Sequence, residues 1–509
     1  MDCRRLNERI DMEVSMMSDE NDQKKGLNRR TFVKVSALGL AAIAGLSPKD
    51  AFAKVPKKWD YEVDVIVVGA GGAGFAAAIE AARGGSKVVI LEKTPTVGGS
   101  SLICGGALAF AGTDLQAGKN VKDSNELLKK DLLTVGENVN DPVQVQAYLD
   151  NQLDTYYWLK KLGVKFVQLT IASGMSVPRA HQVVPPDVIK ILSDAAKAGG
   201  ATLMMQSGAT RLILDEKTGR IRGVLAEQRG KKVTYGARKG VVLTSGGFSL
   251  NSALLAKFVP PMSKARAMVG LGCQGDGLKM AWAFGADLVD MPYIKATFGY
   301  HPQSTSTKQR AHIYYKGAII INKEGKRFVN ESISYKLLGD AALVQQDAVA
   351  YSLWDAKVRA AAKGDALAPV MDLEKLGLVF QASTIGELAA KIGVPPTVLE
   401  ETVKDYNSGI DRGSDAFGRK TLTSGFGKPS KIENPPYYAF LSTGVILGTY
   451  GGIRIDGKAR VIDIFGQPVT GLFAAGEITG GLHGAAYMTG SAFGKAIIFG
   501  RIAGKSVLA

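Results

Sequence analysis

The chain is predicted to be an α/β protein built around a parallel sheet, and three stretches carry that prediction. Val63-Asp64-Val65-Ile66-Val67-Val68 is a β-branched run suited to a strand buried on both faces. It feeds Gly69-Ala70-Gly71-Gly72-Ala73-Gly74 and an alanine-rich helix, Phe75 to Arg83, after which a second strand, Lys87 to Leu91, ends at Glu92. Far downstream, Gly471-Leu472-Phe473-Ala474-Ala475-Gly476-Glu477 reads as another short strand, stopped by glycine with an acid at its tip.

Strand, glycines, helix, strand and acid in this order make a Rossmann-like dinucleotide site. Glycines allow the tight turn and let the backbone approach a pyrophosphate, whose charge sits at the helix N-terminus. Glu92, 18 residues after Gly74, is placed to accept hydrogen bonds from ribose hydroxyls. FAD is expected rather than NAD for two reasons. Gly98-Gly99-Ser100-Ser101 supplies a second glycine turn for further phosphate and ring contacts, and Glu477 suits the ribityl or ribose hydroxyls of a long cofactor.

At 509 residues and 53.8 kDa the chain predicts two or three domains. A composition of 46% hydrophobic and 22% charged residues predicts a substantial core. The net charge of +16 favours acidic partners, anionic substrates or a phosphate-bearing cofactor. The basic residues are scattered and form no nucleic-acid-binding module, so nucleic acid is not expected as a partner. The three cysteines, Cys3, Cys104 and Cys273, offer no CxxCH or paired CxxC for haem, iron–sulfur cluster or zinc. Electrons arriving from outside would need a second protein to bring them. Cys104 and Cys273 read as buried apolar residues.

Residues 1–53 read as an address. Asn28-Arg29-Arg30-Thr31-Phe32-Val33-Lys34, an apolar run from Val35 to Leu46 and Ala51-Phe52-Ala53 resemble a twin-arginine signal peptide. Twelve residues from Val35 to Leu46 fall short of the ~20 that span a bilayer. No later stretch is long and apolar enough to cross one, so a soluble periplasmic protein starting near Lys54 is expected.

The leading fingerprint, Gly240-Val241-Val242-Leu243-Thr244-Ser245-Gly246-Gly247-Phe248, Gly325-Lys326-Arg327-Phe328-Val329-Asn330-Glu331, Phe417-Gly418-Arg419 and the tail from Gly471 to Gly504 carry a family resemblance. The chain resembles the flavoproteins that include soluble fumarate reductases of the flavocytochrome c type, urocanate reductases and 3-ketosteroid 1-dehydrogenases. The resemblance implies an FAD domain from residues 54–290 and 447–509, split by an inserted α+β capping (clamp) domain, 291–446, with substrate between the two. It also implies cofactor contacts at Gly69, Gly71, Gly72, Ala73, Gly74, Glu92, Lys93, Gly98, Gly99, Ser100, Gly106, Gly246, Gly247, Gly476, Glu477, Ser491 and Ala492. On its own pattern the inserted region predicts a strand from Gly317 to Asn322 and a turn at Lys323-Glu324-Gly325-Lys326. Helices are predicted around Leu337 to Ala348 and from Ile385 to Tyr406, interrupted at Pro395-Pro396.

The chain departs from the fumarate reductases at their substrate residues. The family's proton-donating cap arginine, four residues after the Asn-Glu pair, is Tyr335 here. The tail arginine that clamps a carboxylate in the form GANRLGG becomes Tyr487, in Gly484-Ala485-Ala486-Tyr487-Met488-Thr489-Gly490. Leu447-Gly448 stands where a histidine pair precedes Thr449-Tyr450-Gly451-Gly452, and Arg310-Ala311 replaces the Thr-Glu relay step. His301 or Thr297 occupies the place of the cap's other substrate histidine. Each lost arginine–carboxylate pair costs about 3–5 kcal/mol, so a dicarboxylate such as fumarate is not the expected substrate.

Tyrosine after the Asn-Glu-Ser stretch is what the 3-ketosteroid 1-dehydrogenases show, and Pro436-Tyr437-Tyr438-Ala439 through Gly452 also resembles theirs. The resemblance implies hydride transfer between flavin N5 and the β-carbon of an α,β-unsaturated carbonyl compound, with Tyr335 exchanging the α-proton on the opposite face. Tyr487, or backbone N–H groups around Gly448 and Thr449, would hold the carbonyl oxygen. An ene-reductase fed by a separate c-type cytochrome or quinol-linked donor is expected. Alternatives are a 3-ketosteroid-dehydrogenase-like enzyme, a small acrylate-type enoate reductase with Arg179 or Arg310 as clamp, and a non-catalytic flavin electron-transfer subunit. For Arg179 a structural ion pair is the preferred reading, and Tyr450 reads as a packing residue.

Overall fold

The computed structural model describes residues 53–509 except 264, 305–308, 334, 366–367 and 423–426; the predicted leader falls on residues outside this set, save Ala53. The predicted first strand runs Tyr61–Val68 and is parallel to Val88–Leu91, which is parallel in turn to Thr202–Met204. On its other side Tyr61–Val68 pairs in parallel with Lys231–Leu243, the longest strand of a nine-stranded sheet. Val65, Ile66 and Val67 are wholly buried, as a β-branched run covered on both faces requires.

Lys231–Leu243 changes partner along its length. Residues 231–236 form an antiparallel ladder with Arg220–Gln228, whereas Val241, Val242 and Leu243 pair in parallel with Leu472, Phe473 and Ala474 of Pro468–Ala474. The C-terminal segment is thereby laid beside the first glycine turn. The helix Gly72–Arg83 begins at Gly72, three residues earlier than predicted, and packs against Ser491–Ser506. That crossing is close: a Cβ on Gly500 would stand 2.4 Å from the Ala73 carbonyl oxygen, and one on Gly504 would stand 2.3 Å from that of Ala77.

A second, six-stranded sheet is organised on Tyr437–Thr449, which pairs with Val349–Asp355 and Val379–Ala382 over its first half and with Ile294–Tyr300 over its second. This strand runs through the position expected to separate cap from C-terminal FAD segment. Residues 311–440 enclose their own core around Trp354, Leu353, Leu388 and Phe440, separate from the larger core of the nine-stranded sheet. The predicted cap elements appear as Ile319–Ile321, Tyr335–Leu343, Ile385–Ile392 and Pro396–Arg412, each shorter or shifted at its ends. Thr384 closes a capping box with Glu387, which sets where the third of these begins.

Arg179 is a structural residue. Its guanidinium is fully buried and forks onto Asp123 at 2.8 and 2.6 Å while reaching Asp131 at 2.5 Å. Arg179→Ala should lower stability by about 3–5 kcal/mol, because Asp123 and Asp131 would be left buried without their counter-charge. Denaturation midpoints of the variant and the parent check this.

Candidate active site

Tyr61–Val68, Val88–Leu91, Lys231–Leu243 and Pro468–Ala474 end at one edge of the nine-stranded sheet, and the glycine turns lie along it. The Gly69–Gly74 turn is shaped by contact: a Cβ on Gly74 would fall 1.9 Å from the Gly69 carbonyl oxygen, and Gly69 itself holds φ +110°. Gly71 caps the helix Gly72–Arg83 without any side-chain hydrogen bond, leaving its N-terminus to other acceptors. Gly71 and Gly98 form a parallel bridge, and the Gly98 amide donates to the Ala70 carbonyl at 2.8 Å, so the two glycine turns abut.

Glu92 is buried and anchors the first turn: Oε2 accepts the Ala70 N–H at 2.9 Å, and Oε1 accepts the Thr94 N–H at 2.8 Å and its hydroxyl at 2.7 Å. Beside it opens a cleft of about 570 Å³ lined by Lys93, Thr94, Gln206, Ala209, Asp276 and Lys279. Lys93 is ion-paired with Asp276 at 2.6 Å on the cleft wall. Ser100 Oγ accepts the Gly270 N–H at 3.1 Å and lies 3.3 Å from Cys273 Sγ, so a loop absent from the sequence reading closes over the second glycine turn. Cys273 is buried as predicted, and burial pushes its thiol up to about 12; Cys104 is only half-buried, a correction that follows from its place on the wall of the site. Gly106 is a packing glycine, its Cβ position 2.3 Å from the Val183 carbonyl oxygen.

At the other end of the edge, Gly247 has room for no side chain: a Cβ would meet Thr449 Oγ1 at 2.2 Å and Glu477 Oε1 at 2.5 Å. Gly448, with positive φ, faces the same carboxylate, while Gly246 and Gly476, also with positive φ, pack against Cys273 and Ala73. Glu477 Oε1 accepts the Thr449 N–H at 3.1 Å, and burial raises the carboxyl above its ordinary range against the opposing pull of that bond and of Lys295. The Thr449 amide is thus already engaged. Ser491 and Ala492 open the last helix behind Gly490, which caps it without a side-chain bond, and Ser491 Oγ donates to the Met488 carbonyl at 2.7 Å.

Tyr335, Tyr450 and Tyr487 come together here, although Tyr335 begins a helix of the second sheet's layer and Tyr487 precedes the last helix of the chain. Tyr450 stacks on Tyr487 with ring centroids 6.2 Å apart, and His483 packs edge-on to Tyr487 at 5.7 Å. Tyr487 Oη accepts the Gly490 N–H at 2.8 Å. Burial raises the Tyr335, Tyr450 and Tyr487 phenols above 10, while the Lys295 charge and the Thr489 hydroxyl partly offset this at Tyr335. His483 is driven well below 6.5 by burial and by the Lys495 and Lys295 charges, which makes it a neutral imidazole. Tyr450, His483 and Lys295 were missed as site residues. The available signal for Lys295 was a single lysine in the otherwise apolar run Ile294–Tyr300.

His301 and Arg310 lie elsewhere. His301 packs on Phe440 at 5.8 Å, and Arg310 Nη1 donates to Tyr300 Oη at 3.3 Å. Tyr300 pairs with Thr443 and Lys295 with Gly448, which separates the two places by roughly 17 Å of strand. Thr297 is buried against Val445 between them.

The edge as a whole fits a long phosphate-bearing cofactor: two helix N-termini without side-chain caps, and Thr449 Oγ1 and Ser245 Oγ buried without a hydrogen-bond partner. Residues 64–492 match the FAD binding domain family. The chain belongs to this family. It is accordingly an FAD-dependent oxidoreductase. The flavoprotein is 35% identical over 428 residues to a fumarate reductase (cytochrome) of Shewanella frigidimarina, covering 82% of this chain and 72% of that one. It is 28% identical over 480 residues to the acrylate reductase flavoprotein subunit of Shewanella woodyi, covering 89% and 93%. Among solved structures it resembles a 3-ketosteroid-Δ4-(5α)-dehydrogenase of Rhodococcus jostii bound to 4-androstene-3,17-dione, with TM-score 0.73, 28% identity and coverage of 90% and 99%.

We propose that the adenosine end of FAD lies at Glu92, whose carboxylate holds the amide of Ala70 in the first glycine turn. Glu92→Ala should weaken FAD binding by about tenfold to a hundredfold, the worth of hydrogen bonds to a charged group. Titration of the apoprotein with FAD measures it.

Proposed function

We propose that the protein is an exported ene-reductase that transfers a hydride between flavin and the C=C bond of an α,β-unsaturated carbonyl compound other than a dicarboxylate. The observation that carries this reading is the cluster of Tyr335, Tyr450 and Tyr487, of which Tyr335 and Tyr487 stand on positions where the resemblance to the fumarate reductases implies arginines. FAD supplies the hydride chemistry when bound. Tyr335 holds the proton destined for the α-carbon, and burial keeps that phenol in its acid form at neutral pH. Tyr487 steadies the carbonyl oxygen, its ring fixed by the Gly490 amide. The Thr449 amide is spoken for by Glu477, and Gly448 pairs with Lys295 in the ladder beside it.

Residues 291–446 act as a cap that excludes water from the reacting bond. A c-type cytochrome or quinol-linked carrier delivers the electrons after export by the twin-arginine route to the periplasm. Among the described residues no helix is long and apolar enough to cross a membrane. The likeness to a ketosteroid dehydrogenase favours one second reading, oxidation of the CH–CH bond, or reduction of the C=C bond, beside a ring ketone. Reoxidation of the reduced enzyme by enones, enoates and 3-ketosteroids separates the two: rapid reoxidation by acyclic enoates or enones alone supports the ene-reductase, by ketosteroids alone the second reading, and by none of them neither.

A further inference from the structure

Lys295 lies on Ile294–Tyr300, where its backbone pairs with Gly448, and its neighbours on the strand are buried. Its ammonium stands 3.9 Å from the centroid of the Tyr487 ring. The same charge also acts on Tyr335, Glu477, His483 and Cys104. Among the described residues no carboxylate oxygen lies within 4.0 Å of it. The other lysine at this end, Lys495, is differently situated. It is buried, donates to the Thr479 carbonyl at 2.5 Å and faces Asp290.

A partly buried ammonium held by an aromatic face keeps a desolvation cost that a cation–π contact offsets only in part, by roughly 2 kcal/mol. An anion brought into the cluster would complete the compensation. One ammonium matches one carboxylate, whereas a dicarboxylate would bury a second negative charge without a partner. The rings of Tyr450, His483 and Tyr487 supply an apolar, flat surface next to that charge.

We propose that Lys295 is the anchor for the single carboxylate of the substrate, which makes a monoanionic enoate with an apolar or aromatic substituent the preferred substrate class. The inference rests on the ene-reductase reading for what is bound, but the anion site itself stands without it. The carboxylate pairs with the ammonium across the Tyr487 face, and its C=C bond extends toward Tyr335. Lysine serves here where the resemblance implies an arginine at residue 487, and it comes from another element, the strand Ile294–Tyr300. A flexible four-carbon stem reaches from that strand to the Tyr487 ring.

Calorimetric titration of the oxidised, FAD-loaded enzyme with trans-cinnamate and with its neutral methyl ester tests the assignment without turnover. The parent enzyme is expected to bind cinnamate at least tenfold more tightly than the ester. In Lys295→Gln that preference should fall by about tenfold to a hundredfold, and Lys295→Arg should recover part of it. Equal weakening of both ligands, an unchanged preference, or no preference in the parent would overturn the anchor. If cinnamate binds through Lys295 yet neither it nor any other enoate or enone reoxidises the reduced enzyme, the anion site stands and the ene-reductase reading fails.

Discussion

Tyr335→Phe should lower the rate of hydride transfer to an enone or enoate by about 10²- to 10⁴-fold while the enzyme keeps its full complement of FAD. Loss of a positioned acid removes about that much rate. The phenyl ring preserves the packing of the helix Tyr335–Leu343, so only the proton is withdrawn. Stopped-flow reoxidation of the reduced variant reads the chemical step directly, and an undiminished rate would falsify the role of the phenol. The pH dependence gives an independent check. A phenol acts as an acid below its pKa, and burial lifts that of Tyr335 above 10. The reductive rate should therefore show no loss from this group between about pH 6 and 9, and the reverse, dehydrogenating reaction should rise with pH because it needs the phenolate.

Gly74→Ala should yield a protein with little or no bound flavin. The new methyl carbon would lie 1.9 Å from the Gly69 carbonyl oxygen and 2.8 Å from Thr244 Oγ1, and the first of these is backbone that cannot swing aside. Either the turn opens or the helix Gly72–Arg83 shifts, and both displace the amides that would face the pyrophosphate. An effect on the order of 4 kcal/mol, three decades in affinity, matches the most damaging class of single substitutions. Flavin content per polypeptide after purification measures it, and stoichiometric FAD in the variant would show that the turn is not the cradle.

Much of the cofactor half was legible in advance because its physics is local. A buried β-branched strand, a turn that admits no Cβ and an acid at the end of the next strand each leave a mark within about thirty residues, the size of one βαβ unit. The pairing of Leu472 with Val241 brings the distant acid Glu477 to the same edge, where the sequence had offered it as a cofactor contact without saying which strand it would join. The substrate end was legible only where the family resemblance named a position, as at Tyr335 and Tyr487. Arg179 and Arg310 illustrate the limit. Both were candidate clamps on charge alone, yet one is locked between Asp123 and Asp131 and the other reaches Tyr300 far along the strand.

By itself, then, the sequence determined the fold class, the flavin and the absence of the arginines that a dicarboxylate requires, because periodicity, glycine placement and residue type are properties of the chain. Only the tertiary structure decided which charge stands in the cleft. Lys295 is 192 residues from Tyr487 in the chain, and its run marks it as a lone charge on a strand but not as a neighbour of Tyr487. Its position 3.9 Å from the Tyr487 ring follows from the antiparallel register of Ile294–Tyr300 on Tyr437–Thr449, a relation set by long-range pairing and packing between two layers.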